Sequence, residues 1–272
     1  MIVVVPVDPP RAGLVCPELV AQTPLSPTDA AYLYEAATID VLRSVRASGG
    51  DLLINYRDAE TLPGLGVAED KSESEYAHEG EPDGPDGDLP ADPEAEIRAL
   101  AARALEGTDD IRFERQVGST RAARIGNTVT HLLEQEEAAS VGVLEPTAAG
   151  IERTHIDGAA MSIRRNDVIL GPGPSGSAYF TVFSEPIDFT DSDTTPELAT
   201  LAGRCEDAGL EVGLAPMLPT VASETGLCST IALCEARRVA GRGGLEATAT
   251  AIDELGLVVR DGDGKPCVRL ES

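Results

Sequence analysis

Tryptophan is absent from this 272-residue chain, and five tyrosines and four phenylalanines bring the aromatic share to only 3%. A core without large rings has to be built from Val, Leu, Ile and Ala, and 42% hydrophobic residues supply enough of them. Lysine is almost missing as well, with Lys71 and Lys265 the only two. No window approaches the run of about 18 apolar residues that spans a bilayer. The opening stretch from Met1 has no basic n-region and meets Pro6 after four apolar residues, which makes a poor signal peptide. The five cysteines (Cys16, Cys205, Cys228, Cys234 and Cys267) form no Cys-x-x-Cys pair, and their odd number leaves at least one thiol unpaired in a monomer. Reduced thiols in a soluble cytoplasmic protein are the expectation.

What is present in excess is acid. Forty-seven Asp and Glu face 21 Lys and Arg, a formal net charge of -26. Nucleic acid is thereby excluded as a partner, since affinity for phosphate backbones rests on Lys and Arg, and anionic membrane surfaces are excluded for the same reason. Such a surface suits a protein working in molar salt, where a Debye length of about 3 Å screens self-repulsion. Adaptation to a salty cytoplasm is the expectation, an ordinary acidic protein with one acidic loop the alternative.

The hydrophobic pattern alternates between strands and helices. Ile2 to Val5 is a short β-branched run that suits a strand buried on both faces of a parallel sheet. A helix follows from Ser26-Pro27-Thr28-Asp29, with Leu33, Ala37, Val41, Leu42 and Val45 at helical spacing and Gly49-Gly50 closing it. Leu52 to Tyr56 returns as a strand, completing a βαβ unit with a right-handed crossover. Strands are further expected near 111–114, 140–144, 167–171, 178–183 and 210–215. Helices are expected near 93–106, 119–137, 196–208, 227–239 and 244–255, with a further helical stretch between the strands at 140–144 and 167–171, and a final hairpin joins 257–260 to 267–270 through Asp261-Gly262-Asp263-Gly264. Between residues 66 and 95 lie eleven acidic residues, one lysine and almost nothing apolar, which reads as a disordered insertion within one domain spanning residues 1–272. The fold class expected is α/β, a three-layer sandwich with a mostly parallel sheet, its ligand beyond the carboxyl ends of the strands.

Four stretches carry a family resemblance. Asp167-Val168-Ile169-Leu170-Gly171-Pro172 is similar to an Asp-Val-Val-Leu-Gly-Pro signature. Leu25 to Leu42 resembles a first long helix with its cap, Gln116-Val117-Gly118 through Arg124 a Gln-x-Gly opening of a middle helix, and Leu210 to Leu227 a closing strand and loop. In this order they resemble the nucleotide-diphospho-sugar transferase-like proteins of glycosyltransferase A-type fold, often labelled radical-SAM or selenodomain-associated transferases. The resemblance covers Met1 to about Glu235 without the acidic insertion. It implies transfer of a sugar or nucleotidyl group from an activated nucleotide, with Mg2+ or Mn2+ held on carboxylates.

The charged chemistry of that family is largely missing. Its first loop reads Gly-Arg-Val-Lys-Thr-Arg-Leu, and here Gly13-Leu14-Val15-Cys16-Pro17-Glu18-Leu19 puts Cys16 and Glu18 where cations would stand, with Arg11 a partial substitute. The Gly-Ser-Asp-Ser-Pro-Asp motif becomes Glu145-Pro146-Thr147-Ala148-Ala149-Gly150, leaving Glu145 as the one carboxylate available to a cation. Glu-Asp-Gly-Gly becomes Pro174-Ser175-Gly176-Ser177, which keeps the glycine, and Asp-Val-Asp-Thr becomes Thr220-Val221-Ala222-Ser223. The resemblance therefore implies a ligand site on Arg11, Gly13, Thr147, Ser175, Gly176, Ser177 and Thr220. Its hydroxyls could bind a nucleotide or nucleotide sugar without a metal, though the same residues also suit ordinary turns.

Other constellations are weaker. His155 and Asp157 point apart on a helix, His131 suits a helix surface, and Cys228 with Cys234 fits no zinc spacing. Cys16 has only Arg11 nearby to lower its pKa. Gly171-x-Gly173-x-x-Gly176 matches a dinucleotide fingerprint formally, but prolines interrupt it and no helix-forming run follows. Two functions stand open: a ligand-binding or partner protein that has lost metal-dependent catalysis, and an active glycosyl- or nucleotidyltransferase with carboxylates relocated to Glu145, Asp157 or Asp188. No residue is assigned a catalytic role, no cofactor is expected except Mg2+ or Mn2+ in the second case, and no protein partner is identified.

Overall fold

A computed structural model describes residues 1–62, 92–262 and 264–271. The acidic stretch 66–91, expected to be disordered, lies outside the described residues. The last residues assigned to it, 92–95, already form the cap and first turn of a helix: the Asp92 side chain accepts the Glu94 N–H at 3.2 Å and Pro93 occupies the first turn.

Among the described residues seven strands form the central sheet: β1 (Ile2–Val7), β2 (Asp51–Tyr56), β3 (Arg112–Arg115), β4 (Val141–Leu144), β5 (Val168–Pro172), β6 (Ala178–Phe183) and β7 (Val212–Leu214). Their order is β3-β2-β1-β4-β6-β5-β7. β6 alone runs antiparallel to its neighbours, inserted between β4 and β5, and the other pairings are parallel. The expected three-layer α/β sandwich with a mostly parallel sheet is the fold observed.

The alternation of β1 decides which helices cover which face. Val3, Val5 and Val7 point to one side, where they meet Val41, Leu42 and Val45 of α2 (Pro27–Arg46), Ile97 and Leu100 of α3 (Pro93–Ala104) and Ile156 of α5 (Arg153–Ser162). Val4 points to the other, against Val129 and Leu132 of α4 (Arg121–Glu134) and Leu201 and Cys205 of α6 (Glu197–Asp207). Each such aliphatic side chain, withdrawn wholly from water, contributes about 1.5–3 kcal/mol before the entropy of ordering is set against it. Ser26 starts α2 with a reciprocal capping box to Asp29.

A further layer lies outside α2. Short α1 (Pro17–Gln22), which the sequence pattern does not announce, packs there with α7 (Glu224–Val239), α8 (Glu246–Glu254) and the hairpin of β8 (Leu257–Gly262) and β9 (Lys265–Leu270). The amino-terminal half of α2 buries Ala30, Leu33, Tyr34 and Ala37 against this layer, and its carboxyl-terminal half serves the sheet.

Candidate functional site

Strands β1, β2 and β3 step outward in one direction and β4 opens the other half of the sheet, so the chain reverses direction of winding between β1 and β4. The loops after two such strands separate, and the gap beyond their carboxyl ends is where open α/β sheets bind ligands. A cleft of about 450 Å³ opens there, lined by Asp8 after β1, Val15 and Cys16 of the next loop, Glu18 of α1, Tyr34, Gln116, Arg121 and Arg124, and Glu145 to Thr147 after β4. A second cavity of about 460 Å³ lies at the opposite end of the strands, around Gly49, Gly50 and Asp110. Arg46 there is paired with Asp110 at 2.8 Å, and the switch point gives precedence to the first.

Charge in the cleft is arranged as neighbouring pairs. Arg121, the first residue of α4, reaches Glu145 with Nη2 and Glu197 with Nη1, the latter at 3.0 Å. Glu197 uses its other oxygen to accept the Ala178 N–H at 3.0 Å, fixing the start of β6. Burial raises the Glu145 pKa, Arg121 opposes the rise, and the charges of Glu197 and Asp8 add to it. The same convergence of acids holds the Arg121 proton more tightly than usual, Glu145 above all. Asp8 lies 3.5 Å from Arg57 Nη1, and burial raises its pKa against the pull of Arg57, Arg124 and Arg121. Its backbone N–H donates to the buried Tyr34 hydroxyl at 3.0 Å.

A neutral relay holds Arg124. The buried Gln116 side chain donates through Nε2 to the Asn55 carbonyl at 2.8 Å and accepts Arg124 Nε–H on Oε1 at 2.8 Å, which fixes its amide orientation. Asn55 in turn donates to the Glu114 carbonyl at 3.2 Å and accepts the Thr128 hydroxyl at 3.3 Å, tying β2, β3 and α4 together. Arg121 and Arg124 both stand in the first turn of α4, which has no acidic residue. The helix dipole favours negative charge at that end, so two cations there are unfavourable unless anions surround them.

The residues singled out from the sequence divide between this cleft and its surroundings. Thr147 and Glu145 line it, together with Cys16, Glu18 and Ala222 of the substituted motifs. Arg11 and Gly13 belong to the same loop but not to the lining, and Arg11 forms an ion pair with Glu96 at 2.6 Å. Ser175, Gly176 and Ser177 form a tight turn between β5 and β6 that closes on itself. Gly173 N–H donates to the Ser177 carbonyl at 2.8 Å, and the Ser177 hydroxyl donates to the Pro174 carbonyl at 2.9 Å. The Ser177 hydroxyl, N–H and carbonyl are thus spent on the hairpin. Thr220 is buried at the approach of α7, where its carbonyl lies against Gly226. Asp157 accepts the Gly49 N–H at 2.9 Å and Asp188 meets Arg204 at 3.2 Å, so of the three relocated carboxylates only Glu145 reaches the cleft.

Asp8, Tyr34, Gln116, Arg121 and Arg124 were not singled out as ligand groups. Asp8 carried a usable signal, an acid immediately beyond the first β-branched strand. Cys16 adopts a left-handed backbone, φ 50°, and burial pushes its thiol up to about 12, with Glu145 adding to the effect. It is no nucleophile in this state. Among the described residues no group of three or more His, Cys, Asp and Glu side chains is placed to hold a metal ion. Nor is any helix among them long and apolar enough to cross a membrane.

Comparison with solved structures agrees with the architecture. A protein named as a nucleotide-diphospho-sugar transferase from Desulfovibrio desulfuricans superposes with a TM-score of 0.66 over 93% of both chains at 18% identity. A cytidylyltransferase from Leptospira borgpetersenii also covers 93% of both chains, with a TM-score of 0.47 and 7% identity. A CMP:2-keto-3-deoxy-manno-octonic acid synthetase complexed with CTP gives a TM-score of 0.40 at 10% identity, over 88% of this chain and 98% of its own. The first of these shows that the chain has the nucleotide-diphospho-sugar transferase-like fold; the other two are too distant to carry an argument. No protein-family model matches the chain, and no curated protein matches it in sequence.

Proposed function

We propose that the protein binds a nucleotide or nucleotide sugar in the switch-point cleft and does so without a divalent metal, as a ligand-binding or partner protein on a transferase scaffold. The observation that carries this reading is Arg121. Its guanidinium occupies Glu145, the carboxylate after β4 that a metal would need, and shares it with Glu197. A cation built into the chain supplies what Mg2+ or Mn2+ would otherwise supply there, which supports metal-independent binding. The cleft volume falls within the roughly 300–1,000 Å³ of small-molecule sites. Five buried free cysteines fit a reducing compartment, so a cytoplasmic location belongs to the same reading.

The second reading, an active glycosyl- or nucleotidyltransferase, is favoured by one observation: two carboxylates, Asp8 after β1 and Glu145 after β4, line the same cleft. Mg2+ is commonly held by one or two carboxylates together with ligand phosphates, and this pair could do so if Arg57 and Arg121 released them.

A thermal-shift screen with nucleotides and nucleotide sugars, with EDTA or with Mg2+ or Mn2+, separates the two. A ligand at about 100 times its dissociation constant stabilises the fold by about 2.7 kcal/mol. Stabilisation in EDTA is the expected result. Turnover of a nucleotide sugar or nucleoside triphosphate that requires the metal would overturn the first reading in favour of the second.

A further inference from the structure

Arginine in this chain is scarce relative to acid, and nearly every arginine that is not fully solvated has a carboxylate. Arg11, Arg46, Arg57, Arg103, Arg121 and Arg237 all lie within 4 Å of one. Arginines without an ion pair, such as Arg153, Arg164, Arg242 and Arg269, are exposed and hydrated. Arg124 is the exception. It is half-buried on the cleft wall, its Nε is engaged by the neutral Gln116 amide, and its two terminal nitrogens have no hydrogen-bond or ion-pair partner among the described residues.

That arrangement leaves the two terminal nitrogens to solvent alone in the empty fold. A guanidinium partly withdrawn from water loses hydration that only an anion or several acceptors can replace. Burial together with the like charges of Arg57 and Arg121 weakens its hold on its proton, with Asp8 and Asp193 opposing. None of the acids facing the cleft is ion-paired with it: Asp8 is engaged by Arg57, Glu145 by Arg121, and Glu18 accepts the Gln22 side-chain amide at 2.7 Å. Meanwhile a buried glutamine, itself anchored on Asn55, holds the Arg124 fork in one orientation. Fixing a cation while leaving its two outer N–H groups open is the geometry of a bidentate oxyanion contact.

We infer that the terminal nitrogens of Arg124 receive a phosphoryl group of the ligand, and that Gln116 is the positioning residue that presents them. The inference rests on the nucleotide reading of the cleft and adds to it which group of the nucleotide is held and by what.

Isothermal titration with inorganic pyrophosphate in EDTA tests it on the full chain, with citrate as a carboxylate probe and nucleosides as uncharged ones. The wild-type protein is expected to bind pyrophosphate and not citrate. Arg124→Gln should weaken that binding tenfold or more, Arg124→Lys by less, and Arg46→Gln, on the opposite end of the strands, not at all. Gln116→Leu should weaken it in the wild-type background and add nothing in the Arg124→Gln background, which a merely structural glutamine would not do. Without ligand, Arg124→Gln should melt no lower than the wild type, because it removes an uncompensated cation.

Equal pyrophosphate affinity in wild type and Arg124→Gln overturns the assignment, as does preference for citrate. Nucleoside binding without pyrophosphate binding overturns the phosphoryl anchor and leaves the nucleotide reading standing. No binding of either probe overturns both.

Discussion

Arg121 and Glu145 are 24 residues apart in sequence and in direct contact in the lining of the cleft, one opening α4 and the other following β4. Glu145 is the acid disfavoured by the contact's surroundings, because it is more buried than its partner and shares the region with Glu197 and Asp8. Its folded pKa lies above the ordinary carboxylate value, so the folded state binds its proton more readily than the unfolded chain. Stability from this group therefore falls as pH rises through the window between the ordinary and the raised value, and stays reduced above it.

The substitution Glu145→Gln removes that dependence. Urea unfolding at pH 5 and pH 8 should show the variant's stability, relative to the wild type, greater at pH 8 than at pH 5. A difference that runs the other way would mean that Arg121 outweighs burial at Glu145.

Asp40, in the middle of α2, acts as the missing cap of α8. The residue preceding α8, Leu245, offers no capping side chain, whereas Asp40 accepts the N–H of Ala247 at 3.2 Å and of Thr248 at 2.8 Å, and the Thr248 hydroxyl at 2.7 Å. Thr248 is wholly buried, so removing the acceptor strands its donors. Asp40→Ala should cost about 2–3 kcal/mol in chemical unfolding, with Asp40→Asn recovering part of it.

Gly226 admits no side chain. A Cβ there would stand 1.9 Å from the Thr220 carbonyl oxygen, a backbone atom that cannot swing aside. Gly226→Ala should destabilise the fold at the upper end of the about 1–3 kcal/mol typical of overpacking or beyond it. Because the Val221 N–H donates to the Thr147 carbonyl at 2.9 Å, the displacement should also weaken ligand binding in the cleft. Calorimetry and the pyrophosphate titration measure the two effects.

Cys16 should resist alkylation. With its thiol pushed up to about 12, the thiolate at pH 8 amounts to about one molecule in ten thousand. Intact-mass and peptide analysis after an hour with iodoacetamide at pH 8 should show Cys16 unmodified in the folded protein and modified in urea. Rapid labelling of the folded protein would show an opened loop and a thiolate stabilised by something other than burial.

The order of strands and helices was legible because each element's pattern is local. Ile2 to Val7 is β-branched throughout its apolar positions, Ser26 to Asp29 carries its own cap, and Leu210 to Val239 keeps strand, cap and helix in sequence. Only α1, six residues with one fully buried side chain, lacked the length for a periodic signal. The site was legible in part. Glu145, Thr147, Cys16 and Glu18 could be placed by motif, since the first two follow the end of β4 and the other two lie in the connection between β1 and α2. Arg121 and Arg124 could not, because nothing in α4 itself says that its first turn faces a cleft.

The sequence by itself determined the alternation of elements, the scarcity of basic residues and the replacement of acids in the motifs after β4 and β5. Those properties depend on neighbouring residues and on composition. The tertiary structure alone decided that β6 would lie antiparallel between β4 and β5, that the loop at Ser175 would close on itself, and that Asp8, Arg121, Arg124 and Glu145 would share one cavity. Side chains from β1, α4 and β4 meet only because the sheet changes its winding direction between β1 and β4, and that reversal is a property of the whole chain's path.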